Sequence, residues 1–523
     1  MVSTIKYLNK TVNYRRFPEI MMFLLFLGVS ALIFFRSYWG GTYISPDSTN
    51  YLRAAQSILN GYGLKVYAEA GWNDFYFSHW PIGYPFLIAC VSFITGADVY
   101  LASKILTILT LAGIFGLLYH RFHERAWIYT LIMVGYPSFL ENFYYTWSEQ
   151  LFLFGSLLLT FEVINIISEE KPKLFHYFNI VIACLLMFFV RYAGIQAIGV
   201  ICLAVIYIAA TRIITKKPMS AKIIPLTAVG IIVSAVSLGY LYLNYVHTGY
   251  IGGSSARGEV HDLEYIMQSA INLFFGQMTE LSYIFAPGTR RSNKLGLFAV
   301  IVILFFMFFQ FKKNMKAKRS PDSLVFLTMS IYYVLAFLFF RGTTEVDEHY
   351  ARHLLVSTIL FAFGCITIFF ENQSDVNIKI RQFAQKRKVL TMCFLLVWFG
   401  VILSNSYTKY IRGLIKGTNV SYQQTKNEIL SELSPVAPKT IVLIVFGWKE
   451  SFVNFLRPDI LAMDIMWGTS LNRNSELFDK YNDIYLYLDE KYIIPDGQKE
   501  IMQKYSLLSD YVSFRNSRLI KIK

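Results

Sequence analysis

Apolar runs of about 20 residues recur along most of this chain, with short polar connectors between them. A helix needs about 20 apolar residues to cross a bilayer, so the pattern predicts an α-helical polytopic membrane protein with about eleven crossings. The predicted crossings are roughly 18–36, 99–119, 126–142, 149–168, 176–191, 194–211, 223–246, 294–311, 323–341, 353–371 and 389–406. The run Pro81–Thr95 has about 14 apolar residues and is too short, so we expect it to lie on the outer membrane surface.

Basic residues between the runs orient the chain in the membrane. Four of them precede the first run, which has no small-residue cleavage site, so we expect a first transmembrane helix with a cytoplasmic amino terminus. If Pro81–Thr95 stays at the outer surface, every later basic connector faces the cytoplasm. These connectors hold Arg121 and Arg125, Lys171 and Lys173, Arg212, Lys216, Lys217 and Lys222, Lys312 to Arg319, and Lys379 to Lys388.

This topology divides the chain into two parts. Residues 1–406 form the predicted transmembrane domain, whose first outer loop, 37–98, carries surface helices. Residues 407–523 lie outside, where the strand-like runs Thr440–Phe446 and Asp483–Leu488 stand between helical patterns. About 115 residues can build a small α/β domain. We therefore expect a multi-pass protein of the cytoplasmic (inner) membrane with an extracytoplasmic carboxy-terminal domain.

The composition fits a membrane protein and excludes other classes. Hydrophobic residues make up 55% of the chain and aromatic residues 17%. A net charge of +15 would suit nucleic acid on a soluble domain, but here the basic residues serve topology, so membrane lipid is the expected partner and nucleic acid is not. The five cysteines lie in apolar runs without the paired spacing of a metal site or a disulfide framework.

The first outer loop begins with an acidic residue that lies on an unexpected face of its predicted helix. Residues 45–61 predict a helix over Pro46–Asn60, because a serine cap and a proline begin it and glycines follow it. Tyr51 and Ala54 lie within about 40° of Asp47 on the helical wheel, which places this carboxylate on the apolar stripe. Interaction with the helix dipole, worth about 0.3 to 1 kcal/mol, explains an acid in the first turn but not its direction. Asp47 is therefore a candidate functional residue.

More charged residues gather at the predicted outer ends of other helices. Glu149 begins the fourth crossing, and Arg191 lies where the fifth meets the sixth. Arg352 and His353 follow the last outer turn. Each has an ordinary explanation, since the acid can cap a helix, the arginines can reach lipid headgroups and the histidine can pack at the interface. Because they share one side of the membrane with Asp47, the sequence predicts a site that joins a base to an anion-binding cluster.

Several short motifs follow one another along the chain. They are Pro46-Asp47-Ser48 with Tyr51, Ala54 and Gly61; His79 to Pro85; Ser148-Glu149; Arg191 to Gly194; and Tyr350 to Leu355. In this order they resemble the GT-C glycosyltransferases, and within them the bacterial relatives of protein O-mannosyltransferases and of the lipid A aminoarabinose transferase (glycosyltransferase family 39-like). The resemblance covers about residues 10–405. It departs from many relatives at Ile82, where they have a second proline, and at Ala351-Arg352, where they have Arg-Tyr.

The resemblance implies transfer of a monosaccharide from a polyprenyl-phosphate-linked donor to a glycan, lipid or protein acceptor at the outer face. Asp47 then is the general base for the acceptor hydroxyl, a role worth about 10² to 10⁴-fold, with inversion at the anomeric carbon. Arg191 and Arg352, with His353, bind the leaving lipid phosphate. Glu149 is the second catalytic candidate, which orients the sugar or acceptor, or joins Asp47 at a divalent cation. Two carboxylates are compatible with Mg²⁺ or Mn²⁺ but do not require either.

Ring side chains in the first outer loop are candidate substrate contacts. The substrate-binding candidates are His79, Trp80, Tyr84 and Tyr51. The aromatic residues that can stack on the sugar or the prenyl chain are Tyr76, Phe77, Trp80 and Tyr84. An interfacial aromatic belt predicts aromatic residues at the same level of the membrane, so both interpretations stay open.

Two other classes of function also stay open. An O-antigen ligase or polymerase uses a lipid-linked glycan on the same side, with a site in a large late loop such as 247–293. A secondary transporter requires paired halves with broken helices near the midplane and acids deep in the bundle. The charged candidates here lie at helix ends, which favours the glycosyltransferase.

Overall fold

The computed structural model describes residues 17–38, 43–66, 75–216, 218–252, 264–272, 321–343, 350–371, 421–438, 440–444, 447–464, 483–487 and 519–521. The predicted crossings 294–311 and 389–406 lie outside these residues.

Helices make up most of the described chain. The helices of the membrane part are α1 (Phe17–Tyr38), α2 (Pro46–Leu59), α3 (Gly83–Thr95), α4 (Val99–Phe122), α5 (Ala126–Val134), α6 (Pro137–Tyr144), α7 (Glu149–Ser168), α8 (Leu174–Val190), α9 (Gln196–Ile214), α10 (Ile223–Thr248), α11 (Pro321–Thr343), α12 (Tyr350–His353) and α13 (Leu355–Glu371). Short 3-10 turns, His123–Arg125 and Tyr192–Ile195, follow α4 and α8.

The long apolar helices confirm the prediction of a multi-pass membrane protein. Within the described residues, six stretches are long and apolar enough to cross a membrane: Pro18–Ser37, Val99–Val134, Glu149–Ser168, Tyr192–Ile214, Ile223–Thr248 and Asp322–Phe340. The shorter apolar helices α8 and α13 stand where two further crossings are predicted. Hydrophobic length therefore places these helices correctly along the chain.

The predicted crossing 126–142 is wrong as a single helix. It is divided into α5, which ends at Val134, and α6, which begins at Pro137. Tyr136 between them has an extended backbone, with φ −84° and ψ 117°. Proline lacks an N–H group and crowds the residue before it, so the helix is interrupted ahead of Pro137.

Two short helices, α2 and α3, follow α1 in the first outer loop. α2 spans Pro46–Leu59 as the sequence predicts, and the Ser45 hydroxyl caps it by accepting a hydrogen bond from the Ser48 N–H at 3.2 Å. α3 has 13 residues and is about 20 Å long, well short of the roughly 30 Å hydrocarbon core. It packs against both α2 and α4. At this length α3 is too short to cross as a straight helix, and its place at the outer surface stays a prediction.

The helix α7 lies inside the bundle and carries a buried acid near each end. Most of its residues are buried, and it packs against α4, α8, α9 and α11. At one end is Glu149. Toward the other end, Glu162 accepts hydrogen bonds from Asn179 Nδ2 at 2.5 Å and Asn165 Nδ2 at 3.1 Å, and its carboxylate lies 2.6 Å from His176 Nδ1. This second acid is therefore satisfied by amide and imidazole partners.

The carboxy-terminal part is a small α/β unit. Its helices are α14 (Tyr422–Glu432) and α15 (Gly447–Leu456). The first outer loop holds β1 (Lys65–Val66) and β2 (Phe75–Tyr76) as an antiparallel pair, and the carboxy-terminal strands are β3 (Ile441–Ile444), β4 (Leu461–Asp464), β5 (Ile484–Tyr487) and β6 (Leu519–Lys521). The sheet order is β4-β3-β5-β6; β3 runs parallel to β4 and β5, and β6 is antiparallel to β5. The strands β3 and β5 confirm the two strand-like runs of the sequence.

This α/β unit packs on the helices that begin the membrane part. α15 lies against α2, and the Tyr422 ring stacks on Tyr100 at the start of α4, with 4.4 Å between centroids. Both rings are buried, and residues of the two parts belong to one continuous hydrophobic core. The unit therefore lies at the same end of the bundle as the amino-terminal end of α4.

Candidate active site

Five charged or titratable side chains from four separate places in the chain meet at one end of the bundle. Asp47 is in the first turn of α2, and Glu149 is the first residue of α7. Arg191 follows α8, and Arg352 and His353 end α12. We call these five residues the charged cluster. The structure brings together all the residues that the sequence proposes for catalysis and for phosphate binding.

Arg352 lies at the centre of the charged cluster. Its Nη2 donates to Asp47 Oδ2 at 2.7 Å, and its Nε donates to Glu149 Oε1. Arg191 Nη1 donates to the same Glu149 oxygen, and Arg191 Nη2 lies 3.3 Å from His353 Nδ1. The contacts therefore run in the order Asp47, Arg352, Glu149, Arg191, His353. The two arginines face carboxylates, which favours the site interpretation over contact with lipid headgroups.

The cluster is charge-balanced and partly buried. Two carboxylates face two guanidinium groups, so their formal charges cancel when His353 is neutral. The Glu149 side chain is 5% exposed and that of Arg352 10%, whereas Asp47 and Arg191 keep 22% and 21%. Burial by itself lowers the pKa of Arg352, but the adjacent Glu149 and Asp47 carboxylates raise it above its ordinary value. Arg352 is therefore a permanent cation, and Asp47 and Arg191 form the more accessible edge.

Local backbone geometry explains how two of these residues reach the cluster. On α2, the cap at Ser45 and the proline at position 46 begin the helix one residue before Asp47. After α8, the Gly194 N–H donates to the Arg191 carbonyl at 2.8 Å and closes a tight turn. A Cβ at Gly194 would lie 2.2 Å from the Met187 backbone, so the turn requires glycine. The Arg191-Tyr-Ala-Gly motif is thus explained by packing as well as by charge.

The candidate substrate contacts lie beside Asp47. The Tyr51 ring packs edge-on against Tyr84 at 5.0 Å and lies 5.8 Å from Trp80, whose ring is 4.0 Å from His79. Tyr51 and Tyr84 are fully buried, while His79 and Trp80 are partly exposed. Burial also raises the pKa of the Tyr51 hydroxyl well above its ordinary value. Tyr51 of α2 and Tyr84 of α3 therefore form a buried contact between these two helices, whereas His79 and Trp80 are the accessible rings.

The connection between α6 and α7 holds a residue that the sequence analysis did not propose. The centroid of the Trp147 ring lies 3.9 Å from the guanidinium carbon of Arg352. Its Nε1 donates to Ser45 Oγ at 2.7 Å. Trp147 stands two residues before Glu149, but a sequence gives no sign of which cation an aromatic ring covers. This closeness to Glu149 was the available signal.

A buried lysine supports the same connection. Lys104 on α4 is 1% exposed, and its Nζ donates to the Tyr144 carbonyl at 2.6 Å and to Thr146 Oγ1 at 3.2 Å. Gln150 Nε2 donates to the Tyr145 carbonyl at 3.1 Å. These bonds fix the backbone that precedes Glu149. Lys104 lies inside an apolar run of the sequence, where only its single charge distinguishes it.

Asp47 and Glu149 could bind a divalent cation only if Arg352 first moved away from their carboxylates. Arg352 occupies oxygens of both Asp47 and Glu149, and a cation beside two guanidinium groups would be repelled. The Glu149 Oε2 atom is buried and has no hydrogen-bond partner within the described structure. In the described part of the chain, no group of three or more His, Cys, Asp or Glu side chains is placed to hold a metal ion. The Mg²⁺ or Mn²⁺ site stays a prediction.

Comparisons with known proteins identify the fold. ArnT from Cupriavidus metallidurans, in a structure bound to undecaprenyl phosphate, matches with a TM-score of 0.57 and 12% identity, over 95% of this chain and 97% of that chain. The oligosaccharyltransferase of Archaeoglobus fulgidus, tethered with an acceptor peptide containing the NVT sequon, matches with a TM-score of 0.52 and 11% identity, over 91% of this chain and 69% of that chain. Neither a protein-family model nor a curated protein matches the sequence. The two structural likenesses show that the chain has the GT-C fold, as the motifs predict.

Proposed function

We propose that this GT-C chain is a membrane glycosyltransferase that moves a monosaccharide from a polyprenyl-phosphate donor to a hydroxyl group of a glycan, lipid or protein. The reaction takes place on the outer face of the cytoplasmic membrane, with inversion at the anomeric carbon. Asp47 is the general base. Arg191, Arg352 and His353 bind the donor phosphate, and Glu149 holds both arginines.

One observation carries this proposal. An acid with an accessible edge and two arginines converge at one end of the bundle of a GT-C fold, although they come from distant parts of the chain. The structure of ArnT that matches this chain holds undecaprenyl phosphate, a lipid whose headgroup is the chemical class that paired arginines recognise. Charge and fold therefore support the same substrate class.

The proposed reaction is a single displacement. The acceptor oxygen forms a bond to the anomeric carbon while the bond from that carbon to the donor phosphate oxygen breaks. The electron pair of the broken bond leaves with the lipid phosphate, and the acceptor proton passes to the Asp47 carboxylate. Proton removal by a positioned base contributes about 10² to 10⁴-fold. Guanidinium donors stabilise the charge that develops on the phosphate.

Donor binding is expected to exchange partners at Arg352. The Arg352 Nη2 group now donates to Asp47 Oδ2, so this carboxylate oxygen is occupied before the donor binds. A phosphate oxygen that takes this N–H releases the Asp47 oxygen toward the acceptor. Arg352 remains bonded to Glu149 through Nε, so the arginine stays in place during the exchange.

The test is transfer by purified protein in lipid nanodiscs, with undecaprenyl-phosphate-linked sugars and an acceptor extract. Mass spectrometry of surface glycans and lipids, from cells with and without the gene, identifies the sugar and acceptor. We expect Asp47→Asn to lower turnover by about two or more powers of ten, with normal folding and donor binding.

Asp98→Asn is the matched control, because this acid also begins a helix at the same end of the bundle. Asp98 caps α4 through a 3.0 Å bond from the Leu101 N–H, and asparagine caps equally well. It should transfer at the wild-type rate. Near wild-type transfer by Asp47→Asn would show that Asp47 is not the general base. A wild-type protein that transfers no polyprenyl-phosphate sugar to any acceptor would refute the proposed function.

A further inference from the structure

The indole of Trp147 is partly exposed and packs against an aromatic ring and a guanidinium group. Its ring is nearly parallel to that of Tyr145, with 4.2 Å between centroids and an angle of 9°. The guanidinium of Arg352 covers it as well, 3.9 Å from the ring centroid. These two contacts connect the ring of Trp147 to the charged cluster through Arg352.

The edge of the same indole reaches the helix that carries Asp47. Trp147 Nε1 donates to Ser45 Oγ at 2.7 Å, and this oxygen also caps α2 by accepting from the Ser48 N–H. Ser45 is two residues before Asp47. One side chain thus contacts both the arginine that holds the acid and the helix start from which the acid projects.

The residues on either side of Trp147 are held by buried polar contacts with α4 and α2. Thr146 Oγ1 lies 2.9 Å from Ser103 Oγ and accepts from Lys104 Nζ, and the Ser148 hydroxyl lies 3.1 Å from the Tyr51 hydroxyl. All of these polar groups are buried. Trp147 is therefore attached to a rigid segment, so its ring can hold a flexible arginine in one orientation.

We propose that Trp147 is a positioning residue, which sets the plane of the Arg352 guanidinium so that its Nη2 faces Asp47 and its Nε faces Glu149. A guanidinium on a long side chain has several rotamers, and stacking on an aromatic face restricts them. The bond to Ser45 fixes the distance between the guanidinium and α2. This inference rests on the proposed function for its kinetic consequence, while the packing it describes can be tested without any substrate.

The kinetic test compares Trp147→Phe and Trp147→Leu. Phenylalanine keeps an aromatic face for Arg352 but loses the N–H to Ser45, so we expect kcat/KM for the donor to fall less than about tenfold. Leucine loses both, and a displaced arginine should lower kcat/KM by about 10 to 100-fold. Phe93→Leu, at a ring that is 83% exposed on α3, is the control for loss of an aromatic side chain and should keep wild-type kinetics.

A double-mutant cycle separates positioning from substrate binding. If Trp147 acts through Arg352, adding Trp147→Leu to Arg352→Lys should change kcat/KM by less than about threefold. If it contacts the sugar directly, the two losses should multiply, and that result would overturn the proposal. Equal activity of the leucine, phenylalanine and wild-type proteins would overturn it as well.

A thermal cycle distinguishes failure of this inference from failure of the proposed function. The melting temperatures of wild type, Trp147→Leu, Arg352→Met and the double variant are measured in detergent without substrate. We expect the fall in melting temperature of the double variant to be smaller than the sum of the two single falls, because each single change removes the same contact. Additive losses would overturn the proposal whatever the protein transfers. A non-additive result with no sugar transfer would leave the packing established and refute only the proposed function.

Discussion

Replacement of Glu149 by glutamine tests the electrostatics of the charged cluster directly. The Glu149 side chain is 5% exposed and its Oε1 accepts bonds from both Arg191 and Arg352. Glutamine keeps the shape and one acceptor oxygen but removes the negative charge. The two guanidinium groups then share one remaining carboxylate, that of Asp47, which bonds to Arg352. The variant therefore leaves the partly exposed Arg191 guanidinium without a carboxylate partner in the cluster.

The expected cost follows from the burial of the partners. Breaking a buried ion pair by removing one member costs about 3 to 5 kcal/mol. The retained acceptor oxygen and the partly exposed Arg191 reduce this, so we expect a loss of about 2 to 4 kcal/mol. For a chain of 523 residues the loss corresponds to a fall in melting temperature of about 2 to 4 °C.

Glu162→Gln is the matched control for this measurement. It removes a second buried acid from the same helix, with similar burial, but the described partners of Glu162 are His176, Asn165 and Asn179 and include no arginine. We expect a smaller fall in melting temperature, because amide donors bond to a neutral glutamine oxygen without leaving a fixed cation unpaired. Inorganic phosphate should also stabilise Glu149→Gln more than wild type, since an added anion can occupy the unpaired guanidinium. Equal melting of the two variants, with no specific effect of phosphate, would refute the reasoning.

Two further predictions concern donor binding and topology. Arg191→Lys keeps the charge but loses the planar pair of N–H groups that now reach Glu149 and His353. The affinity for the sugar donor should therefore fall in a protein that folds normally. Unchanged affinity and rate would show that Arg191 only contacts the membrane interface. Single cysteines at positions 320 and 434 should react with an impermeant reagent from the cytoplasmic and outer sides respectively, and outer labelling at position 320 would overturn the orientation.

The amino-acid pattern by itself determined the class of the protein and the location of most helices. Hydrophobic length marks a crossing because a bilayer has a fixed thickness, and this is a property of each segment alone. The helix Pro46–Leu59 was predictable for a similar reason, since its serine cap and proline are local signals. The acid on its apolar stripe and the arginines at other helix ends were then enough to propose one site.

The interruption before Pro137 shows where segment patterns fail. An apolar run of sufficient length predicts one helix, but the missing N–H of a single proline divides it. The order of strands in the carboxy-terminal sheet and the stacking of Tyr422 on Tyr100 also lie beyond such patterns. Alternation indicates that a strand has a buried face and gives no information on its neighbour.

Only the tertiary structure decided which charges form pairs and what holds them. Asp47 and Arg352 are 305 positions apart, and nothing in either local sequence specifies that they bond. The cover of Arg352 by Trp147 and the burial of Lys104 beneath the same turn are likewise consequences of packing between helices. The sequence determines which residues are costly to bury, because that cost belongs to one side chain. The fold determines which partners offset the cost, because that depends on distances between side chains that the linear order does not contain.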